Sequence, residues 1–174
     1  MIRPRGILFT RERKKCLDNL LAKSVFSSPF QTQSAKEALA NILSKNKFTK
    51  HDLITILTPS QSPYVSSCVT KTISKVARWN RVLTNETKAV VLINEFGFVV
   101  DIEKIRREFK GLIIEDNAYC FPLILDDARG KYKDYSIYSL PKFFGGSSGG
   151  LCIEEGKLSS NQRKEIRTKL EKSI

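Results

Sequence analysis

The sequence predicts an α/β protein, a three-layer α/β/α arrangement around a mainly parallel sheet. Two runs, Val90-Val91-Leu92-Ile93 and Leu112-Ile113-Ile114, are continuously apolar rather than alternating, as strands are when both faces are covered. Between them Ile102, Ile105 and Phe109 fall on one helical face. Strand therefore alternates with helix, and a parallel sheet with helical crossovers follows. Such runs are far too short to span a bilayer.

The elements follow in order. Thr10 to Ala22 reads as a helix, with Leu17, Leu20 and Leu21 on one face, and Val25 to Phe30 as a connector. Ser34 to Leu43 reads as a helix capped by Ser34, with Glu37 three residues on and Ala38, Leu39, Ile42 and Leu43 as its apolar face. Leu53 to Leu57 is a strand stopped by Thr58-Pro59. Tyr64 to Ser74 is helical, Lys75 to Arg81 a short strand, and Lys88 to Ile93 a buried strand. The helix from Asp101 to Phe109 is ended by Gly111, and the next strand stops at Glu115-Asp116. Pro122 to Lys133 is a long, mixed loop of unfixed conformation. Tyr135 to Ser139 and Leu151 to Glu154 are further strands, and Asn161 to Lys172 a charged helix.

At 174 residues, 41% of them hydrophobic, the chain suits one domain with its own core. The expected organisation is a single domain over 1–174, with a helix and connector over 1–30 and a terminal helix over 156–174. Met1-Ile2-Arg3-Pro4-Arg5 is basic, but no apolar signal core follows, so a soluble cytoplasmic protein is expected. Cys16, Cys68, Cys120 and Cys152 are scattered, without a CxxC pair. They predict buried thiols and no metal site. His51 reads as a surface or capping residue rather than a base. The net charge of +12 attracts polyanions or anionic lipid at long range. The basic residues are dispersed, however, and no zinc finger or RNA-binding motif appears, so neither a specific nucleic-acid partner nor a membrane is expected.

The most distinctive stretch runs from Ser139-Leu140-Pro141-Lys142 through Phe143-Phe144 to Gly149-Gly150. It places one lysine between an apolar strand and a glycine-serine loop. Lys142 is either a solvated loop lysine or an amine held where it sheds its proton and condenses with a carbonyl. Two more features fall on the same predicted sheet edge, where ligands of open α/β sheets sit. Ser34-Ala35-Lys36 opens a helix and is either an ordinary cap or an anion site. Asp116 ends a strand and is either a turn residue or the partner of a protonated ring nitrogen.

In order and spacing these motifs resemble the large, cofactor-binding domain of the fold-type I pyridoxal-phosphate enzymes. Among these the chain is most similar to the sugar-nucleotide aminotransferases of the DegT/StrS type. The resemblance covers roughly residues 33–155. It rests on Ser34-Ala35-Lys36-Glu37-Ala38-Leu39, the strand Ile54 to Pro59, Phe96-Gly97, Asp101 to Ile105, Glu115-Asp116-Asn117-Ala118, and Ser139, Lys142, Gly149 and Gly150.

The resemblance implies pyridoxal phosphate as cofactor. Lys142 would attach it and shuttle protons, and Asp116 would pair with its ring nitrogen. Ser139 and the backbone at Ser34, Ala35 and Lys36 would hold its phosphate. Tyr64 is the nearest candidate for a ring stacked on the cofactor. The chain departs at Ala35, where the family has glycine, and at Tyr119, where Gln or His usually lies near the cofactor hydroxyl. The resemblance stops short of the family's smaller C-terminal domain, so a shortened, single-domain relative is expected. The implied activity moves an amino group from an amino acid such as glutamate to a keto-sugar nucleotide, in a homodimer. The alternatives are a catalytically inactive shortened homologue acting as a binding or scaffold module, and a basic nucleic-acid-associated protein.

Overall fold

A computed structural model describes residues 31–59, 65–120, 127–144, 149–157, 159, 161, 162, 164 and 168. The predicted helix Thr10 to Ala22 and Tyr64 lie outside the described residues. Seven strands form one sheet: β1 (Gln31–Thr32), β2 (Leu53–Leu57), β3 (Arg78–Asn80), β4 (Thr87–Ile93), β5 (Leu112–Asp116), β6 (Tyr135–Ser139) and β7 (Gly150–Glu154). Their spatial order is β1-β7-β6-β5-β4-β2-β3. Strands β2 to β6 run parallel to one another, whereas β7 runs antiparallel to β6, and β1 antiparallel to β7. The mainly parallel sheet is as expected; β1, only two residues long, leaves no sequence signal.

Helix α1 (Ala35–Lys45) starts at Ser34, whose hydroxyl accepts from the Glu37 N–H at 3.1 Å. The Glu37 carboxylate reaches back to the Gln33 N–H at 2.6 Å, a reciprocal cap that fixes the entry of the chain. Ala38, Leu39, Ile42 and Leu43 are buried on one side. With α2 (Ser67–Ser74) they cover Ile54, Ile56, Val91, Ile114 and Ile137 of the sheet. Burying each such Leu or Ile contributes about 1.5–3 kcal/mol. Helix α3 (Ile102–Glu108), capped by Asp101, covers the other face. There Ile102 and Phe109 pack on Val90, Leu92 and Ile113. Three layers result.

Side chains alternate along a strand. Ile114 therefore belongs to the α1/α2 face and Ile113 to the α3 face, and the same alternation sends Asp116 and Glu115 to opposite faces.

Several boundaries shift from the sequence reading. The helix placed from Tyr64 starts at Ser67, and α3 ends at Glu108, ahead of Gly111. Asp127–Gly130 is a helical turn inside the long loop. Lys142 sits on a helical turn, Pro141–Phe144, rather than in an open loop, because Pro141 is preorganised for the first helical position. Of the cysteines read as buried, Cys68 is exposed, Cys120 buried and Cys152 half-buried. A short 3-10 turn, Glu155–Lys157, follows β7. Of the predicted terminal helix, residues 161, 162, 164 and 168 are described and helical. Among the described residues no group of side chains could hold a metal, and no helix is long and apolar enough to cross a membrane.

Candidate active site

The carboxyl edge of the sheet gathers most of the residues singled out above. Asp116 closes β5 between Ile93 of β4 and Ile137 of β6. Only 4% of it is exposed, and its Oδ1 accepts from the Ala118 N–H at 2.9 Å. Burial raises its pKa from the ordinary 3.8 to about 6, against the opposing pull of that N–H and of the Lys142 charge. Lys142, on the turn after β6, is exposed, with its Nζ 3.4 Å from the centre of the Tyr119 ring. Asp116, Tyr119 and Lys142 therefore share one corner, supplied by two neighbouring strand ends.

A second corner adjoins it. Ser139 ends β6 and pairs with Gly150 at the start of β7. The Gly149 N–H donates to the Gln33 carbonyl at 2.8 Å, and the Leu140 N–H to the Gly149 carbonyl at 3.1 Å. These bonds lash the start of α1 to the end of β6. A Cβ on Gly150 would lie 2.4 Å from the Ser34 carbonyl carbon and 2.7 Å from the Ala35 nitrogen, so only glycine lets the two backbones approach. The reciprocal cap uses the N–H groups of Gln33 and Glu37. The first-turn N–H groups of Ala35 and Lys36 stay outside it, at the positive end of the helix dipole. The Lys36 side chain lies elsewhere, lining a 320 Å³ cleft between α1 and α2 with Thr72 and Lys75. A larger cleft of 630 Å³ opens at the far end of the sheet, around Asn46, Lys131 and Glu154. It holds none of these residues.

Sequence reasoning missed what lies behind the site. Glu115 is wholly buried on the α3 face. Its Oε1 accepts from Arg129 at 2.5 Å and Asn94 at 2.9 Å, its Oε2 from Lys133 at 2.6 Å and Asn117 at 3.1 Å. Burial alone would raise its pKa, but Lys133 and Arg129 overcome that and hold it at about 2. Lys133 also lies 3.4 Å from Glu155, which accepts from Ser136 at 2.7 Å. The available signal was Glu115 itself, a carboxylate with inward parity in an apolar strand. Its partners come from the long loop, which gave no conformational cue.

Comparison with known proteins places this arrangement. Over residues 24–173 the chain matches the family described as "Putative PLP-dependent aminotransferase". It belongs to that family. The PLP-dependent fold is shared with solved structures. One is NtdA from Bacillus subtilis with bound cofactor PMP, at TM-score 0.63 and 17% identity over 90% of this chain and 44% of that one. A second is a "putative sugar aminotransferase" from Streptococcus pneumoniae in its PMP form, at TM-score 0.60 and 16% identity over 91% and 49%. The aminotransferase from Psychrobacter cryohalolentis gives TM-score 0.57 and 13% identity over 91% and 50%. At these identities the likeness establishes the fold, and the chain spans about half the length of these structures. No relative is found among curated proteins.

Proposed function

We propose that the carboxyl-edge corner holds pyridoxal phosphate and serves amino-group transfer from an amino acid such as glutamate to a keto-sugar nucleotide. The observation that carries this reading is that a buried Asp116, with no cation at hydrogen-bond distance, shares the carboxyl-edge corner with Lys142, which lies over Tyr119, three residues along from Asp116. A carboxylate whose charge is disfavoured by burial gains stability when a cationic ring nitrogen arrives beside it. The residues fit the group at both ends. Asp116 suits the ring nitrogen, while the Ala35 and Lys36 N–H groups with the Ser139 hydroxyl suit a phosphate. When bound, the cofactor supplies an electron sink for bonds at the amino-bearing carbon.

The chain's own residues do the rest. Lys142 would hold the cofactor through its Nζ and would serve as the proton carrier at that atom. Asp116 would face the ring nitrogen and favour its protonated form. Glu115, locked behind the sheet by Arg129 and Lys133, keeps the end of β5 in place without touching the ligand. The DegT/StrS affiliation, the homodimer and the cytoplasmic setting belong to the same proposal.

The test is spectroscopic. Protein mixed with pyridoxal phosphate develops a visible absorption band that survives gel filtration, and Lys142→Ala, on an exposed turn, folds normally but shows none. Addition of glutamate bleaches the band. A colourless protein that retains no cofactor would falsify the proposal. A band that glutamate leaves intact favours the second reading, a binding module. That reading is motivated by the Glu37 carboxylate, which sits in the first turn of α1 and opposes a phosphate there.

A further inference from the structure

The loop after β4 holds an aromatic ring in a costly conformation beside the lysine corner. Glu95 and Phe98 exchange backbone hydrogen bonds at 2.9 and 2.8 Å, closing a tight turn around Phe96 and Gly97. Both central residues have positive φ, 47° and 93°. Glycine adopts this at no cost, but a phenylalanine does so only when its surroundings impose it. The turn is tied sideways, for the Gly97 N–H donates to the Cys120 Sγ at 3.2 Å. The result is a Phe96 side chain 75% exposed, its ring centre 4.7 Å from that of Tyr119, itself 40% exposed. Tyr119 in turn carries Lys142 Nζ over its ring at 3.4 Å. Among the described residues, four of the six exposed large hydrophobics (Phe96, Phe98, Val99 and Tyr119) lie in these two adjoining loops.

We infer that Phe96, braced by Tyr119, is a stacking platform for a ring in the amino acceptor, and so determines which acceptor is taken. This rests on the proposed transfer at Lys142. The strained turn holds the ring in the open, where folding alone would bury it. Phe96 touches Tyr119 and Tyr119 carries the reactive amine, so a ring laid on Phe96 adjoins the lysine corner. Lys142 already lies on Tyr119, which leaves Phe96 as the free surface. Aromatic faces take a nucleobase by stacking, and the apolar face of a pyranose by dispersion. Both ring types occur in a sugar nucleotide, and the probes below separate them.

The experiment uses protein loaded with pyridoxal phosphate, and calorimetric titration with uridine diphosphate, glucose 1-phosphate and inorganic pyrophosphate. Phe96→Asn removes the ring and relieves the left-handed backbone, so folding is not at risk. The expected result is loss of about tenfold or more in affinity for at least one ring-bearing probe, at the low end of what ring stacking supplies, with pyrophosphate unchanged. Loss for uridine diphosphate identifies the base as the stacked ring; loss for glucose 1-phosphate identifies the sugar. Val82→Ser, which removes exposed apolar surface away from the site, changes nothing. The platform is refuted if Phe96→Asn leaves both ring probes within twofold, weakens all three probes equally, or if the wild type binds neither ring probe more tightly than pyrophosphate. It is also refuted if the variant converts a sedimenting dimer to monomer with ring-probe affinity intact, which makes the patch an interface between copies. The visible band in the same cuvette separates the two proposals: a retained band with no effect of the variant refutes the platform alone.

Discussion

Replacing Asp116 by Asn should stabilise the cofactor-free protein at neutral pH while weakening the proposed cofactor site. The side chain is isosteric, and its Oδ1 keeps the bond from the Ala118 N–H. What changes is the charge. The folded carboxyl titrates at about 6, against an ordinary 3.8. Because the folded state holds its proton more tightly, this group favours the fold most at low pH. That favour is lost as pH climbs from about 4 to about 6, and the deficit is constant above. At 1.36 kcal/mol per pH unit the deficit is about 3 kcal/mol, an upper figure for the gain on substitution. Urea unfolding of both proteins between pH 4 and 8 reads it directly. The variant should be more stable by about 1–3 kcal/mol at pH 7, and the difference should shrink toward zero near pH 4. With pyridoxal phosphate added, the wild type should gain stability and the variant far less. A variant of equal or lower stability at pH 7, or a difference independent of pH, would show that burial does not raise the pKa of this carboxyl.

Glu115→Gln should act in the opposite sense, costing about 3–5 kcal/mol in urea unfolding, because it removes the counter-charge of Arg129 and one of the two carboxylates facing Lys133. The Glu115 carboxyl is depressed to about 2 from 4.5, so its contribution is full above about 4.5 and falls away as pH drops through 2. A loss under 1 kcal/mol would disprove this role. Gly150→Ala should lower both stability and cofactor retention, since the added carbon meets Ser34 and Ala35 backbone, and unchanged values in melting and gel filtration would contradict it. Ser34→Ala should cost about 1 kcal/mol of unfolding free energy through the lost cap; no change would mean that Glu37 alone secures the start of α1.

The parallel core was legible because strands covered on both faces leave no alternation to misread, as at Val90 to Ile93. Helix starts were legible where a side chain caps the backbone, at Ser34 and Asp101. What escaped depends on contacts distant in sequence. β1 is two residues long and owes its existence to the edge of β7. Arg129 and Lys133 looked like ordinary charges of a mixed loop, because nothing local says that they turn inward onto Glu115. Phe96-Gly97 belongs to the motif order read from the sequence, but the positive φ at Phe96 occurs in a turn closed by Glu95 and Phe98 and tied to Cys120, which residue type does not announce. The lysine corner was half visible: the order of motifs pointed to Ser139, Asp116 and Lys142, while the contact between Lys142 and Tyr119 needed the packed loops.

The adjacent carboxylates 115 and 116 show how one strand end divides its labour. The pleat sends them to opposite faces, and both are desolvated. Glu115 meets two cations at hydrogen-bond distance and is ionised to about pH 2; Asp116 meets one backbone N–H and a more distant lysine and rises to about 6. Had the fold needed only to bury these groups, the cheaper solution would have been an apolar residue at 116. The asymmetry makes sense if the charge missing beside Asp116 is brought by a ligand. Binding a cation there would recover the energy that folding leaves unclaimed, and a protein improved by Asp116→Asn in the absence of that ligand would be carrying a cost that only the site explains.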